Sequence, residues 1–308
     1  MHTGISEELP RVLVLGGAGF IGRHAVAALS QAGASVVVGS RHPSRIDNRL
    51  PPRARNFARL QVRHERLITS SDWVDIVAQV DVVLNCVGIL RPVGRATYDR
   101  VHHLAPAALA QACKETGRRL IHVSALGLRR EARSRFLTSK LEGEEAIRET
   151  GGNWIIARPS LLDGVGGFGA WWLRAVARLP LFVVPADAKG RIAALDVSEL
   201  GEALAQLCLR SEAELGLAES REFDLGGPVH YSFPDYIRTL RRRYSHRPAL
   251  CLPVPALLAR LVAHVCDVFH ATPFSFGHWE LLQRDNVPLN NRMAELLGRA
   301  PRAIGVDQ

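Results

Sequence analysis

A glycine-rich turn at residues 16–22 constrains the fold of this chain more than any other stretch of the sequence. An apolar run at 12–15, typical of a buried strand, comes directly before it, and a helical pattern at 23–31 comes directly after it. Glycines at every third position permit a tight turn, close approach of backbone N–H groups to a phosphate, and close packing of helix on strand; they are Gly16, Gly19 and Gly22. With a second apolar run at 35–38, the pattern predicts a strand–turn–helix unit that binds a dinucleotide at the helix N-terminus.

Apolar runs alternate with helical patterns along the first half of the chain. Such alternation predicts an α/β fold of the Rossmann type, a doubly wound parallel sheet with helices on both faces. The predicted strands are 12–15, 35–38, 58–62, 82–86, 120–123 and 154–157. The predicted helices between them are 23–31, 73–79, 98–116 and 139–150.

The regular alternation of apolar runs and helical patterns ends near residue 160. We expect residues 1–160 to form the nucleotide-binding core, with 190–227 completing it through a helix at 195–209 and a short strand near 223. Residues 161–189 and 228–308 are expected to form a smaller C-terminal lobe that covers the substrate.

The apolar segment 249–269 is the nearest approach to a membrane span in this sequence. Two prolines, an arginine, a histidine and an aspartate interrupt it, so we predict no transmembrane helix. Five of its apolar residues share one helical face, which we expect to lie in the lobe core, with peripheral membrane contact as the alternative. These residues are Leu257, Leu258, Leu261, Val262 and Val265.

The chain carries a net charge of +9, from 39 Lys and Arg against 30 Asp and Glu. This balance favours anionic ligands or acidic surfaces, but no nucleic-acid-binding motif accompanies it, so we predict no nucleic-acid partner. The five cysteines lack C-x-x-C spacing, which argues against disulfides and a structural zinc site. Without a signal-peptide pattern, we expect a cytoplasmic protein, with the inner face of a membrane as the alternative location.

The end of the second strand indicates which dinucleotide is bound. An NAD site usually has a carboxylate there for the ribose 2′-hydroxyl, whereas an NADP site has arginine for the 2′-phosphate. Here Ser40 and Arg41 follow the strand, Arg45 is close behind, and the first carboxylate is Asp47. The sequence therefore favours NADP(H), with NAD(H) as the alternative.

Five segments together resemble the extended or atypical branch of the short-chain dehydrogenase/reductase superfamily. They are the turn at 16–22, Asn85-Cys86-Val87-Gly88, the segment 122–127 with Ser124, the segment 139–144 with Lys140, and Arg158-Pro159-Ser160. The group around the 39-kDa accessory subunit of respiratory complex I and the NmrA-like proteins is the most similar, also at residues 284–287. The resemblance implies that the cofactor is held by Gly16, Gly19, Phe20, Ile21, Gly22, Asn85, Cys86, Val87, Gly88, Ser124, Lys140, Pro159 and Ser160.

One departure from the family is decisive for catalysis. Family enzymes have a tyrosine four residues before the lysine, and its hydroxyl exchanges a proton with the substrate oxygen. This chain has Phe136 there, which carries no proton. The resemblance leaves Lys140 to hold the ribose, and Ser124 either to polarise a carbonyl or to cap nearby backbone.

Three other residues are candidates for the missing proton transfer. His102 stands where the family has a structural asparagine, and His103 follows it. Either histidine relays protons or is simply packed or solvated, the commoner outcome, and Tyr98 is a weaker candidate. The family's adenine-side aspartate is replaced by Arg66, and no metal site is expected.

Three functions remain open from the sequence. The first is an NADP(H)-dependent oxidoreductase for a lipophilic carbonyl or quinone-like substrate, in a pocket formed with Phe168, Trp171 and Trp172. The second is a non-catalytic scaffold, assembly factor or redox sensor that holds NADP(H) for a protein partner. The third, a nucleotide-sugar epimerase or dehydratase, needs the absent tyrosine.

Overall fold

The structure is a computed structural model and describes residues 9–52, 54, 57–269 (without the side chains of 268 and 269) and 274–305. Its strands are β1 Arg11–Leu15, β2 Ser35–Ser40, β3 Phe57–Gln61, β4 Val82–Asn85, β5 Arg119–Val123, β6 Trp154–Pro159, β7 Leu162–Asp163, β8 Leu181–Pro185, β9 Arg191–Ile192, β10 Leu195–Asp196, β11 Glu222–Leu225, β12 Tyr231–Ser232 and β13 Leu250–Val254. Its α-helices are α1 Gly22–Gln31, α2 Ser71–Val77, α3 Ala105–Glu115, α4 Arg135–Glu149, α5 Phe168–Arg178, α6 Val197–Leu209, α7 Phe233–Arg242, α8 Ala256–Phe269, α9 Phe276–Leu282 and α10 Met293–Leu297.

A parallel sheet of seven strands forms the centre, in the order β11-β6-β5-β4-β1-β2-β3. Alternate residues of β1 point to opposite faces: Val12 and Val14 pack with α1 and α6, whereas Leu13 and Leu15 pack with α2 and α3. The predicted doubly wound Rossmann fold is therefore confirmed. The strand order reverses between β1 and β4, and ligands of such sheets bind at that point.

Two predicted helices differ in detail from the structure. The helix predicted at 98–116 does begin at residue 98, but a π-helical turn, Arg100–Leu104, interrupts it before α3, because Pro106 has no N–H to donate to the carbonyl of His102. That carbonyl faces Gly143 of α4, where any Cβ would stand 3.0 Å from the carbonyl carbon. The helix predicted at 139–150 begins at Arg135 instead, so Phe136 lies in its first turn.

Residues 168–185 and 231–254 build a second, smaller cluster. β8 and β13 pair in parallel, and Phe182 and Val184 turn inward to meet Tyr236, Ile237 and Leu240 of α7. The first of these stretches forms α5, which carries Trp171 and Trp172, and β8.

Helix α8 overturns one prediction. Its leucine and valine face, expected in the core, points to solvent, with Leu257 81% and Leu261 59% exposed. The helix packs instead through Ala259 and Ala263, in one cluster with Phe276 and Trp279 of α9. The expectation was wrong because helical periodicity identifies an apolar face but not what covers it. Within the described ranges, no helix is both long and apolar enough to cross a membrane.

Candidate functional site

The glycine turn connects β1 to α1 at the point where the strand order reverses. Gly16 has a φ of +70°, a conformation that glycine adopts without strain, and its N–H donates to the carbonyl of Gly39 at 3.0 Å. A Cβ on Gly22 would stand 2.8 Å from the Cα of Gly17, so a side chain there would force the turn open. Gly17, which the sequence analysis did not single out, is equally confined, because its Cβ would lie 2.9 Å from Val38.

A loop from the second half of the chain lies against this turn. The ring of Phe20 fills the space beside Gly167, where a Cβ would stand 2.7 Å from the ring. Arg23 lies over the same ring, 5.8 Å from its centroid, and donates a hydrogen bond to the carbonyl of Val165. The glycine-rich loop at 164–167 is thereby placed beside the predicted pyrophosphate site.

The residues predicted to select NADP(H) lie at the carboxyl end of β2, next to the glycine turn. Arg41 and Arg45 are exposed, and neither guanidinium has a hydrogen bond or ion pair among the described residues. Ser40 accepts a hydrogen bond from the N–H of His42 at 3.3 Å. Asp47, the first carboxylate after the strand, is paired with Arg59 at 2.5 Å. Two unpaired cations are therefore available here for a phosphate.

The segment after β4 links the glycine turn to α4. Asn85 is fully buried, bonds His122 Nδ1 through its Nδ2 at 3.1 Å, and accepts from the N–H of Val87 at 3.1 Å. A Cβ on Gly16 would lie 3.1 Å from the carbonyl oxygen of Cys86, so the turn and this segment touch. Gly88 lies beside Lys140, whose Nζ is 4.0 Å from the position of a Gly88 Cβ. The segment predicted to lie under the cofactor thus borders both the turn and the lysine.

Lys140 is the ionisable residue that lies beside Gly88 and Phe136. Burial lowers the pKa of its amine to about 8, although the nearby carboxylate of Glu144 acts in the opposite direction. The amine makes no hydrogen bond or ion pair with any residue that the structure describes. Its Nζ lies 6.0 Å from the centre of the Phe136 ring.

Glu144, one helical turn beyond Lys140, is completely buried and locked in an ion-pair network. Burial opposes ionisation of this carboxyl, but Arg158, which donates a hydrogen bond of 2.6 Å, holds its pKa below the ordinary value, helped by the Ser124 hydroxyl and by the charge of Arg148, whose own hydrogen bond is 2.7 Å long. Arg158 also contacts Glu222 and Asp224 of β11. The network fixes α4 against the sheet, and with it the backbone that carries Lys140.

Ser124 carries a buried hydroxyl at the end of β5. The residue is 95% buried, and its Oγ makes no hydrogen bond of good geometry with any described residue, although it lies close enough to the Glu144 carboxylate to help lower the pKa of that group. A buried hydroxyl that is not fully satisfied is costly, so Ser124 Oγ is available to a bound molecule.

Ser160 differs from Ser124, although both were predicted at the cofactor. Its hydroxyl donates to the carbonyl of Asn286 at 2.7 Å and accepts from the N–H of Ala193 at 3.2 Å. Pro159 accepts from the N–H of Leu126 at 3.0 Å. The side chain of Ser160 is thus used within the protein, as is its N–H, which donates to the carbonyl of Leu225 at 2.8 Å, so only its carbonyl oxygen is left for a ligand.

Phe136 stands at the tyrosine position inside an aromatic cage. Its ring centroid lies 5.9 Å from that of Tyr98, 5.8 Å from that of His102 and 5.3 Å from that of His278, which stacks on it. A Cβ on Gly277 would lie 3.1 Å from the Cβ of Phe136, so α9 packs directly on this residue. His278 comes from a remote segment, and no local pattern in the sequence indicated it.

The histidines of this cage do not replace the missing phenol. His102 Nε2 accepts from the N–H of Ile89 at 3.1 Å, which leaves the proton on Nδ1 for its 3.2 Å bond to Ser139. Burial, together with the charge of Lys140, lowers the pKa of His102 well below its ordinary value. Burial lowers the pKa of His278 to about 4, with Arg91 adding to the effect. Both rings are therefore neutral near pH 7, and His102 is packed rather than catalytic.

The remaining two candidates are engaged elsewhere. The hydroxyl of Tyr98 donates to the carbonyl of Leu90 at 2.8 Å. His103 bonds Asp99 at 3.2 Å and approaches Glu142 at 3.8 Å. These three groups are close enough to share a cation, but Arg135 already pairs with both carboxylates, so we assign no metal to them.

A cavity of about 500 Å³ opens beside Phe136. Four guanidinium groups and one carboxylate line it: Arg91, Arg133, Arg135, Arg260 and Asp267. Ser134, also in its wall, has a buried Oγ without a partner among the described residues. Arg91 is ion-paired with Asp267, and Arg135 with Asp99 and Glu142, so part of the positive charge of the wall is neutralised. The cavity therefore combines an arginine-rich wall with an unsatisfied hydroxyl.

The walls of this cavity differ from the pocket predicted from the sequence. Phe168 and Trp171 lie elsewhere, half-exposed and stacked on each other at 6.4 Å. The expectation relied on aromatic content, whereas the cavity is formed by arginines from distant segments. The arginine-rich run at 129–135 was the one signal in the sequence that pointed to it.

Comparison with known proteins places this geometry in context. Residues 16–167 match a family model described as NAD(P)H-binding. The chain is 28% identical over 291 residues to a ceramide reductase of Caulobacter vibrioides, covering 92% of this chain and 88% of that protein. It is 31% identical over 166 residues to mitochondrial NADH dehydrogenase [ubiquinone] 1 alpha subcomplex subunit 9 of Mus musculus, covering 49% of this chain but only 40% of that protein.

Solved structures show the same fold at low sequence identity. A nucleoside-diphosphate-sugar epimerase from Staphylococcus aureus superposes with a TM-score of 0.72 at 13% identity, covering 96% of this chain and 98% of that one. An NADPH-dependent quinone oxidoreductase from Escherichia coli, complexed with NADPH, superposes with a TM-score of 0.69 at 13% identity, covering 96% and 97%.

Proposed function

Because residues 16–167 match an NAD(P)H-binding family and the whole chain is similar to a ceramide reductase, we propose that this protein is an NADP(H)-dependent reductase of a lipophilic carbonyl compound. The observation that carries the proposal is the pair formed by Ser124 and Lys140. The Oγ of Ser124 and the amine of Lys140 make no hydrogen bond of good geometry with any described residue, and both lie near the carboxylate of Glu144. A scaffold that only holds a dinucleotide has no need of a buried hydroxyl available to a substrate oxygen.

The residues present fit the cofactor. The turn formed by Gly16 and Gly22 has no room for side chains. The N–H groups of Gly16, Gly17 and Gly19 are used within the protein, which leaves those at 20–22, at the start of α1, for a pyrophosphate. Arg41 and Arg45 supply two unpaired cations for a 2′-phosphate, and Lys140 holds the nicotinamide ribose. When bound, the reduced dinucleotide supplies the hydride.

Two side chains of this protein bind and protonate the substrate oxygen. Ser124 donates its hydroxyl hydrogen to that oxygen, which satisfies the buried Oγ and stabilises the negative charge that develops on it. In the absence of the tyrosine hydroxyl, Lys140 supplies the proton to the substrate oxygen, directly or through water. Its amine has a pKa of about 8 and is protonated near pH 7, whereas His102 and His278 are neutral. Phe136 keeps the tyrosine's place in the aromatic packing.

The similarity to a ceramide reductase, which extends over 92% of this chain, supports a lipid as the substrate class. The same similarity makes a 3-oxo-sphingolipid the first compound to test. A quinone is the second, since the fold is shared with an NADPH-dependent quinone oxidoreductase.

The test is NADPH oxidation by purified protein with a detergent-solubilised 3-oxo-ceramide, a short-chain quinone and a UDP-sugar as separate substrates. We expect turnover with the 3-oxo-lipid, and a decrease of about a hundredfold or more in kcat for Ser124→Ala with NADPH affinity unchanged. Ser220→Ala, a serine outside the site, is the matched control. Tight NADPH binding without turnover of any of these substrates would instead favour the non-catalytic scaffold.

A further inference from the structure

Helix α8 is amphipathic, but its large apolar side chains face solvent. Leu257, Leu258, Leu261, Val262 and Val265 are all between 44% and 81% exposed. The side toward the protein consists of alanines, Ala259 and Ala263, which are 5% and 0% exposed. A helix that presents its small residues to the fold and its large apolar residues to water has an unpartnered apolar face.

Strand β13, which precedes this helix, and its partner β8 carry further exposed apolar residues. On β8, Leu181 and Val183 are exposed, while Phe182 and Val184, which alternate with them, are buried. Leu250 and Leu252 of β13 are exposed, and they pair in register with Leu181 and Val183. Four apolar side chains thus lie side by side on the outer face of the β8–β13 pair, and β13 leads into α8 through Pro255 alone.

The charge of this region indicates what covers it. Residues 241–264 contain five arginines and no aspartate or glutamate. Arg242, Arg247 and Arg260 are exposed. A second copy of the chain on this surface would bring like charges together across a two-fold axis. An anionic lipid surface provides both the apolar depth and the opposite charge.

Helix α8 also borders the cavity beside Phe136. Arg260, His264 and Asp267 line that cavity from α8. The helix that carries the exposed apolar face therefore also forms part of the cavity wall.

We propose that α8 and the outer face of β8–β13 bind to an anionic lipid bilayer, with α8 lying in the interface plane. In that position the cavity faces the bilayer, from which an amphiphilic substrate enters. The second statement rests on the proposed reductase function, whereas binding to the bilayer does not.

The test is co-sedimentation of the full chain with vesicles of phosphatidylglycerol and phosphatidylcholine, and separately with vesicles of phosphatidylcholine alone. We expect binding to the anionic vesicles that weakens with salt, and a decrease of about tenfold or more in the partition coefficient for the double variant Leu257→Gln/Leu261→Gln. Leu289→Gln, at a fully exposed leucine outside this surface, is the matched control and should bind as the wild type does. Arg242→Ser/Arg247→Ser should lower binding to anionic vesicles only.

Three results would overturn the proposal: no vesicle binding by the wild type at low salt, equal binding by the Leu257/Leu261 variant, or a dimer in light scattering that this variant dissociates. Circular dichroism and NADPH titration establish that each variant is folded. Reduction of a detergent-solubilised substrate is measured on the same samples. Loss of vesicle binding with that activity retained separates this proposal from the reductase function.

Discussion

The carboxylate of Glu280 accepts a hydrogen bond of 2.8 Å from the backbone N–H of Ser134. It also accepts from the N–H of Arg133 at 2.9 Å, although Ser134 makes no side-chain cap of its own. The helix that carries Phe136 and Lys140 is therefore capped by a side chain from α9, 146 residues later in the chain.

Replacing Glu280 by alanine removes a buried cap and leaves two backbone N–H groups unsatisfied. We expect a decrease of about 1–3 kcal/mol in the free energy of unfolding, measured by urea denaturation. Glu149→Ala, at an exposed carboxylate of the same helix, should change it by less than about 0.5 kcal/mol. Equal effects of the two substitutions would mean that the Glu280 contacts do not stabilise α4.

Phe136→Tyr restores a phenol four residues before the lysine. General acid catalysis typically contributes about 10²–10⁴-fold, and we expect kcat for carbonyl reduction to rise by at least about tenfold. Phe136→Leu, which adds no proton donor, is the control and should show no gain. If Phe136→Tyr binds NADPH normally but is no faster than the wild type, position 136 is not aligned with the substrate oxygen.

The pKa of Lys140 predicts how NADPH affinity and reductase rate depend on pH. Its folded-state pKa of about 8 lies below that of a free lysine, so the ammonium is lost as the pH rises through 8. NADPH affinity and reductase rate should both be constant below about pH 7 and fall above pH 8. Lys140→Arg, which stays charged, should move the fall in affinity to higher pH, and Lys140→Met should abolish the pH dependence. A profile for Lys140→Met identical to that of the wild type would assign the titration to another group.

Arg41→Ser tests the choice of dinucleotide. A hydrogen bond to a charged group contributes about 1.5–3 kcal/mol, so we expect the Kd for NADPH to rise by about tenfold to a hundredfold and that for NADH to stay unchanged. Arg11→Ser, at an exposed arginine at the amino end of the neighbouring strand, should change neither. Fluorescence titration of the wild type and both variants with each cofactor measures the Kd values. A parallel loss of NADH affinity would show that Arg41 does not bind the 2′-phosphate.

The parts of the fold that local patterns encode could be predicted from the sequence. Strand β1, the turn at Gly16 to Gly22 and α1 are consecutive, and each limits the next through backbone sterics and hydrogen bonding. The stacking of His278 on Phe136 could not be predicted, because those residues are 142 positions apart and no periodicity links them. The same holds for Arg91 and Arg260 in the cavity wall.

The exposed apolar face of α8 shows a second limit of prediction from sequence. The spacing of Leu257, Leu261 and Val265 identifies one side of a helix, but the choice between burial and exposure depends on which surface the rest of the chain offers. Here Phe276 and Trp279 of α9 pack against the alanines of α8. Which face of α8 is buried therefore depends on how α8 and α9 pack together and not on the sequence of either helix alone.

The cap that Glu280 places on α4 has a consequence for biosynthesis. The ribosome adds residues in order, so Arg133, Ser134 and Phe136 are made long before Glu280 and His278 exist. During that interval the start of α4 has two unsatisfied backbone N–H groups, and one side of Phe136 is uncovered. The Rossmann sheet is free to assemble as its strands are synthesised, but the wall of the cavity beside Phe136 is completed only after translation passes residue 280.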